Sequence, residues 1–240
     1  MCSSDLNGAS NLAGAIAPGE VVVIYGTGIG PALLAQNQPA GGLLGTELAG
    51  SSILFNGVAG PIVYASAAQV SAIVPYGVSG SSVQVVAQYQ GTPSAPVAVP
   101  LALAAPALFT RIPTGKGQAA AINQDNSLNS ATYPAAPGSV IVLYATGEGQ
   151  TTPAGVDGKI ATVPAPKPIQ GVTVTIGGQN AVVQYAGGAP GSTAGLMQIN
   201  AVIPAGTPSS SAVPVSIAVG NQSSPAGVSI AVVGQTPNLP

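Results

Sequence analysis

Glu148, Asp157 and Lys159 hold much of the charge of a 240-residue chain that has only four Lys or Arg and six Asp or Glu. Two carboxyls this close in sequence can share the work of a general acid and a general base. The rest of such machinery is missing. The chain contains no His and a single Cys, so no pairing of nucleophile and base can be assembled beside them. Hydrolysis of a polysaccharide needs paired carboxyls at a set separation, and only five acids lie outside the first six residues. These three residues are expected to form a salt bridge or a solvated loop tip; no catalytic residue is assigned, and the chain is not expected to be an enzyme.

Two further constellations carry weaker chemistry. Gly26-Thr-Gly28-Ile-Gly30 follows an apolar run, as the glycines of a dinucleotide loop do where they let a backbone approach pyrophosphate at a helix N-terminus. Pro31, Pro39, Gly41 and Gly42 forbid the helix that would have to follow, so a tight turn and no cofactor are expected. Asp125, among Asn123, Asn126, Ser127 and Asn129, offers several oxygen donors, but a hard cation takes roughly 6 to 8 ligands with several carboxylates. An Asx turn accounts for the same residues, and no metal ligand is assigned. Of the seven tyrosines, Tyr25 and Tyr144 stand at matching places in a repeated motif, as do Tyr64 and Tyr185, which fits packing with a hydroxyl at the rim. Tyr76, Tyr89 and Tyr133 have no counterparts and form the candidate interaction surface.

The repeated motifs show what must position these residues. Pro18-Gly-Glu-Val-Val-Val-Ile-Tyr25-Gly-Thr-Gly-Ile-Gly30 returns 119 positions later as Pro137-Gly-Ser-Val-Ile-Val-Leu-Tyr144-Ala-Thr-Gly-Glu-Gly149. Gln69-Val-Ser-Ala-Ile-Val-Pro75 returns 129 positions later as Gln198-Ile-Asn-Ala-Val-Ile-Pro204, so order is kept while a loop has changed length. Between the breakers lie short apolar runs and two-residue alternations. Val83, Val85, Ala87 and Tyr89 match Val213, Val215, Ile217 and Val219, and Ile53 to Phe55 leads through Asn56-Gly57 to Ile62 to Tyr64 as a hairpin. Helix signals are close to nil. The expected fold is all-β: two tandem immunoglobulin-like β-sandwich domains related by internal duplication, with an extra hairpin between them.

Boundaries follow from the motifs. Residues 1–17 are read as an N-terminal tail, 18–104 as the first repeat, 105–136 as a connecting segment with a hairpin that packs on the second domain, 137–234 as the second repeat and 235–240 as a C-terminal tail. Cys2-Ser-Ser-Asp-Leu6 reads as a translated sequencing adapter, so its removal is expected to leave folding unchanged, and without Cys2 the chain has no thiol chemistry. Charged residues make up only 4% of the chain, with no basic cluster, which argues against nucleic acid as a partner. Apolar runs are too short and too often broken by proline for a membrane-spanning helix.

Val-Ile-Val-Leu-Tyr144-Ala-Thr-Gly-Glu-Gly-Gln150, Pro153-Ala-Gly-Val-Asp157-Gly-Lys159, Gly195-Leu-Met-Gln198-Ile-Asn200 and Gly117-Gln-Ala-Ala-Ala-Ile-Asn123-Gln-Asp125 resemble an uncharacterised domain family at the C-termini of large secreted bacterial proteins, abundant in soil acidobacteria. The resemblance spans roughly residues 12–234. It implies a tandem similar to IPT/TIG domains, an extracellular or cell-surface location, upstream domains of the same polypeptide as neighbours, and no catalytic residues. Two roles are consistent with it: a non-catalytic spacer, adhesion or sorting module, or a self-assembling subunit of a fibre or coat. Through Tyr76, Tyr89 and Tyr133, weak association with itself, a protein or a neutral glycan is expected, little affected by salt because little charge is involved.

Overall fold

The computed structural model describes residues 2–233, with side chains from residue 6 onward; the C-terminal tail read at 235–240 lies outside the described residues. The described chain is all-β, without α-helix. In the first sandwich one sheet runs Cys2–Asn7, Val21–Gly26, Gln69–Ile73, Ile62–Ala65, Ala35–Gln36 in spatial order, and the other runs Val97–Pro100, Ser82–Tyr89, Ser51–Phe55, Val58–Gly60. All neighbours in both sheets are antiparallel. Alternation delivers the core between them: Ile53 and Phe55 on one strand and Val83, Val85 and Ala87 on the next face Val22, Ile24, Val70 and Ala72 of the opposite sheet.

The second sandwich repeats this pairing in the same register. Tyr25 opposes Gln69 as Tyr144 opposes Gln198, and Val21 opposes Ile73 as Val140 opposes Val202. Phe55 opposes Val85 as Ile176 opposes Val215. Even the irregularities agree, since a bulge separates Ile62 from Tyr64 and another separates Val183 from Tyr185 at the matching place. A one-residue slip would turn every core side chain to the wrong face, so shared register is strong evidence of duplication.

One difference has a simple cause. The predicted hairpin across Asn56-Gly57 forms, with both residues at positive φ (49° and 82°), but Ser51–Phe55 pairs with Val58–Gly60. Ile62–Ala65 lies in the opposite sheet, and Pro61, which has no N–H to give a ladder, stands where the chain crosses. In the second copy Val182 takes the place of Pro61, and one strand, Gln179–Gly188, runs unbroken through both sheets.

One expectation is corrected. The segment read as an N-terminal tail, 1–17, is tied down where it is described: Cys2–Asn7 pairs with Val21–Gly26, Ile16 bridges Leu101, and Ala9, Ser10, Ile16 and Ala17 are buried. Truncation at residue 6 would remove a paired strand, so it is not neutral to the fold. The segment 105–136 does carry a hairpin-like return, with Ile122 bridging Leu128, yet it is woven into the second sandwich. Ala107–Leu108 and Ala121–Asn123 pair with Val140–Thr146, while Gly117–Gln118 lies parallel to Val228–Val232.

Asn129, fully buried, closes that weave. Its amide donates to Asn123 Oδ1 at 2.8 Å and to the Ala231 carbonyl at 2.9 Å, and its Oδ1 accepts from Ala231 N–H at 2.8 Å and from Gln118 Nε2 at 2.6 Å. Truncating it strands several buried polar groups, each costing about 1–3 kcal/mol. Asn129→Ala is expected to lower unfolding free energy by about 3 kcal/mol or more in denaturant titration, whereas Asp125→Ala, at the exposed turn, should stay within about 0.5 kcal/mol of wild type.

Candidate functional site

Tyr76 closes the last turn of the first sandwich's central strand, and all three of its hydrogen-bonding groups are taken by the second sandwich. Its N–H donates to Asp157 Oδ1 at 2.8 Å, its carbonyl accepts from Gln150 Nε2 at 2.6 Å, and its hydroxyl donates to Glu148 Oε1 at 3.1 Å. The ring lies between backbone on both sides: a Cβ on Gly19 or on Gly155 would fall 2.6 Å and 2.5 Å from it. Gly155 is therefore the one residue type whose backbone reaches this ring without displacing it.

Around this contact the backbones also join. Val21 N–H donates to Thr146 Oγ1 at 2.8 Å, and the same hydroxyl donates to the Gly195 carbonyl at 2.8 Å. The loop between Gly26 and Gly50 pairs with the loop that carries Asp157: Leu44 N–H donates to the Gly158 carbonyl and Ile160 N–H to the Gly42 carbonyl, each at 2.8 Å. At the far side Asn7 Nδ2 donates both to Glu20 Oε1 at 2.7 Å and to the Ala105 carbonyl at 3.0 Å.

Glu148 and Asp157 thus hold the two ends of Tyr76, its hydroxyl and its backbone N–H, rather than forming a solvated loop tip. Glu148 is 2% exposed, and in the duplication it occupies the place of Ile29, a buried apolar residue of the first copy. Burial pushes its carboxyl up to about 7, against a smaller lowering by the Tyr76 hydrogen bond. The Tyr76 phenol is pushed well above its ordinary value by burial first and by the Glu148 charge second, so it acts as a donor. Glu20, fully buried, is raised to about 8 by burial, opposed by the bonds from Ala17 N–H and Asn7. Lys159 is exposed and makes no salt bridge with either acid, which corrects the expected ion pair.

Beside Glu148 opens a cavity of about 140 Å³ walled by Pro153, Ile160, Ala161, Pro164 and Pro166, with Lys159 at its rim. Glu148 is among the residues that line it, and Glu148 Oε2 is buried without a hydrogen-bond partner. The other sequence candidates lie elsewhere. Tyr76, read as part of an open interaction surface, is only 8% exposed because the second sandwich covers it; Tyr89 is half-buried, and Tyr133 is exposed. Asp125 makes the expected turn, its Oδ1 accepting from Ser127 N–H and Oγ, which together hold its carboxyl below the ordinary value. Gly26 and Gly28 close a turn by donating to the Ala68 and Ala67 carbonyls. Among the described residues no three of His, Cys, Asp and Glu come together, and no helix is long and apolar enough to cross a membrane.

No family model matches the chain, and no curated protein does. Solved structures give distant likenesses. The extracellular region of plexin A4 aligns over 92% of this chain and 17% of its own, at 12% identity and TM-score 0.32. SGBP-B of the Bacteroides ovatus mixed-linkage glucan utilization locus, solved with a mixed-linkage heptasaccharide, aligns over 92% of this chain and 44% of its own, at 13% identity and TM-score 0.34. Domains 5–6 of the S-layer protein SbsC align over 98% and 99%, at 12% identity and TM-score 0.29. The chain spans less than half the length of the first two, and at these scores the likenesses decide nothing about its role.

The two buried carboxyls set a pH dependence. Both have an ordinary value of 4.5 and keep their protons to about 7 and about 8 when folded. Between those limits the folded chain binds more protons than the unfolded one, so stability falls as pH rises. The contribution is full below 4.5 and is lost as pH passes through the folded values; it amounts to a few kcal/mol at most for each group. Melting temperature should decline from pH 4.5 to 8, Glu148→Gln should flatten the lower part of that decline, and Glu148→Gln with Glu20→Gln should abolish most of it. An unchanged slope in the double variant would refute the assignment.

Proposed function

We propose that the chain is a non-catalytic module of a larger secreted or cell-surface protein, in which two immunoglobulin-like sandwiches are clamped into one rigid spacer. The observation that carries this reading is the junction. Every polar group of Tyr76 is bonded across it, and two loops pair across it backbone to backbone. Tandem domains whose function needs independent motion are joined by linkers that few contacts cross. Here the junction instead places buried polar groups where separation would leave them unpaired. The extracellular setting and the upstream domains follow from the resemblance of the Gly117, Tyr144, Pro153 and Gly195 motifs to C-terminal domains of secreted bacterial proteins.

Assembly through sheet edges into a fibre or coat is the less favoured role. Four of the outer strands, Ala35–Gln36, Val58–Gly60, Ala107–Leu108 and Gly117–Gln118, have only two or three residues each, and short edges are poor templates for another chain; of the other edges Val97–Pro100 has four residues and Cys2–Asn7 six.

Rigidity is directly measurable. In NMR relaxation the two sandwiches should tumble with one correlation time, and unfolding should proceed in a single transition. Tyr76→Ala should split both, giving distinct correlation times and an earlier transition for one half. Independent tumbling in the wild-type chain would sink the spacer reading.

A further inference from the structure

We propose that the open end of the first sandwich is the seat of an extended polypeptide segment with small apolar side chains, the stretch that leads into Cys2 from the preceding part of a longer chain. The observation that carries this is a difference between the copies. In the second sandwich the matching end is filled. Leu103-Ala-Ala-Pro106 runs across Gly147 and Gly149, where an added Cβ would run into the Ala105 and Leu103 carbonyls, and Ala105 N–H donates to the Gly147 carbonyl at 2.9 Å. Ala104 is 1% exposed and belongs to the second core. In the first sandwich Gly28 takes the place of Gly147 at a similar positive φ, 67° against 82°, yet among the described residues a Cβ there would meet nothing within 4 Å. A cleft of about 410 Å³ opens beside it, lined by the buried Ile29 and Ala87 and by Tyr89, Thr92 and Ser94. Tyr89 opposes Thr92 as Val219 opposes Gln222, and Val219 and Gln222 line a hollow together with residues 101–104.

The ladders say which chain arrives there. Leu108 opposes Ala145, and Cys2 opposes Gly26, the residue at Ala145's place in the repeat. Cys2 therefore stands where Leu108 stands, and residues ahead of it fall where 103–107 lie, with the third of them at the place of Ala105. Backbone must reach a bare glycine, which calls for small side chains. Ile29 and Ala87 belong to the first core, so an apolar side chain is the one that extends it, as Ala104 extends the second. No residue lining the cleft carries a charge at neutral pH, so a charged segment would find no counter-charge there. Ile29 in Glu148's place offers a tyrosine hydroxyl no acceptor, so the seat takes a segment and not a further clamped sandwich.

The inference rests on the reading of the chain as one module of a larger protein, and its test is separable from that of rigidity. The whole chain is compared with the same chain carrying Leu-Ala-Ala-Pro-Ala ahead of Cys2, the sequence that precedes Leu108. The extension should shift the amides of Gly28, Tyr89, Thr92 and Ser94 in NMR spectra and raise the melting temperature by about 2–4 °C. Gly28→Asn should cancel both effects, because a side chain there meets nothing in the open cleft but stands in the way of the segment, and Asn adopts positive φ more readily than other side chains. In the unextended chain the same substitution should leave the melting temperature unchanged. Leu-Asp-Asp-Pro-Ala in place of the apolar extension should give neither effect, which decides the question without a substitution in the fold. Cellotetraose titrated into the unextended chain tests a neutral glycan as occupant. An apolar extension that leaves those amides unmoved, shifts that survive Gly28→Asn, an acidic extension that docks as well, or saturable cellotetraose binding at the same amides would overturn the assignment. Relaxation measured on the same samples keeps the outcomes separate: sandwiches that tumble independently while the extension still docks would overturn the spacer reading alone.

Discussion

A carboxyl withdrawn from water must be neutralised, paired or hydrogen-bonded, and the cost of failing at this is larger than that of almost any other single burial. Glu148 stands where the first copy has Ile29, and both side chains are buried. In the first copy the matching position is an apolar core site, and an acid in its place in the second is tolerable because Tyr76 reaches it from the other sandwich. Much of the arrangement of the junction follows from that requirement. Gly155 must be bare to admit the ring, and Asp157 and Gln150 must lie close enough to take the backbone of Tyr76. The proton that Glu148 retains lets the acid stay buried without a cation beside it.

Both members of the contact are departures from the repeat. Tyr76 corresponds to Ala205 and Glu148 to Ile29, so each copy lacks the partner that the other copy's junction surface would need. Two identical sandwiches would offer the same surface at both ends and could continue head to tail into an open chain. Divergence at these two positions makes the contact one of a kind and closes the unit at two domains. Thr146 joins the two sandwiches without departing from the repeat, since Thr27 stands at the matching place: its hydroxyl accepts from Val21 N–H of the first sandwich and donates to the Gly195 carbonyl of its own.

The fold was legible because its determinants are local. Alternation in Val83 to Tyr89, the Asn56-Gly57 turn and the ordered recurrence of two unlike motifs each point to one strand or one turn, and the register later agrees residue by residue. What escaped the sequence is what depends on approach between distant segments. Glu148, Asp157 and Lys159 looked like a loop tip because nothing in a single sequence places Tyr76 against them. The segment 105–136 looked like a connector because its pairing partners, Val140–Thr146 and Val228–Val232, lie on both sides of the second core. One signal was available and unused. Aligning the two copies sets an acid against a buried isoleucine, and a charge at an apolar core position is a local rule broken for a reason.

Glu20 makes the same point from the other side of the junction. Its counterpart Ser139 bonds only the nearby Ala136 carbonyl, a short local closure that needs nothing from another domain. Glu20 closes the corresponding turn through Ala17 N–H and also takes Asn7, whose amide continues to the Ala105 carbonyl at the start of the second sandwich. A longer acidic side chain thus replaces a hydroxyl where the chain must tie its first strand, its first turn and the next sandwich together. Both buried acids among the residues whose side chains are described, Glu20 and Glu148, sit on paths that cross between the sandwiches, and at both matching positions the other copy uses an uncharged residue. Burial of these two acids belongs to the joining of the domains rather than to the folding of either one.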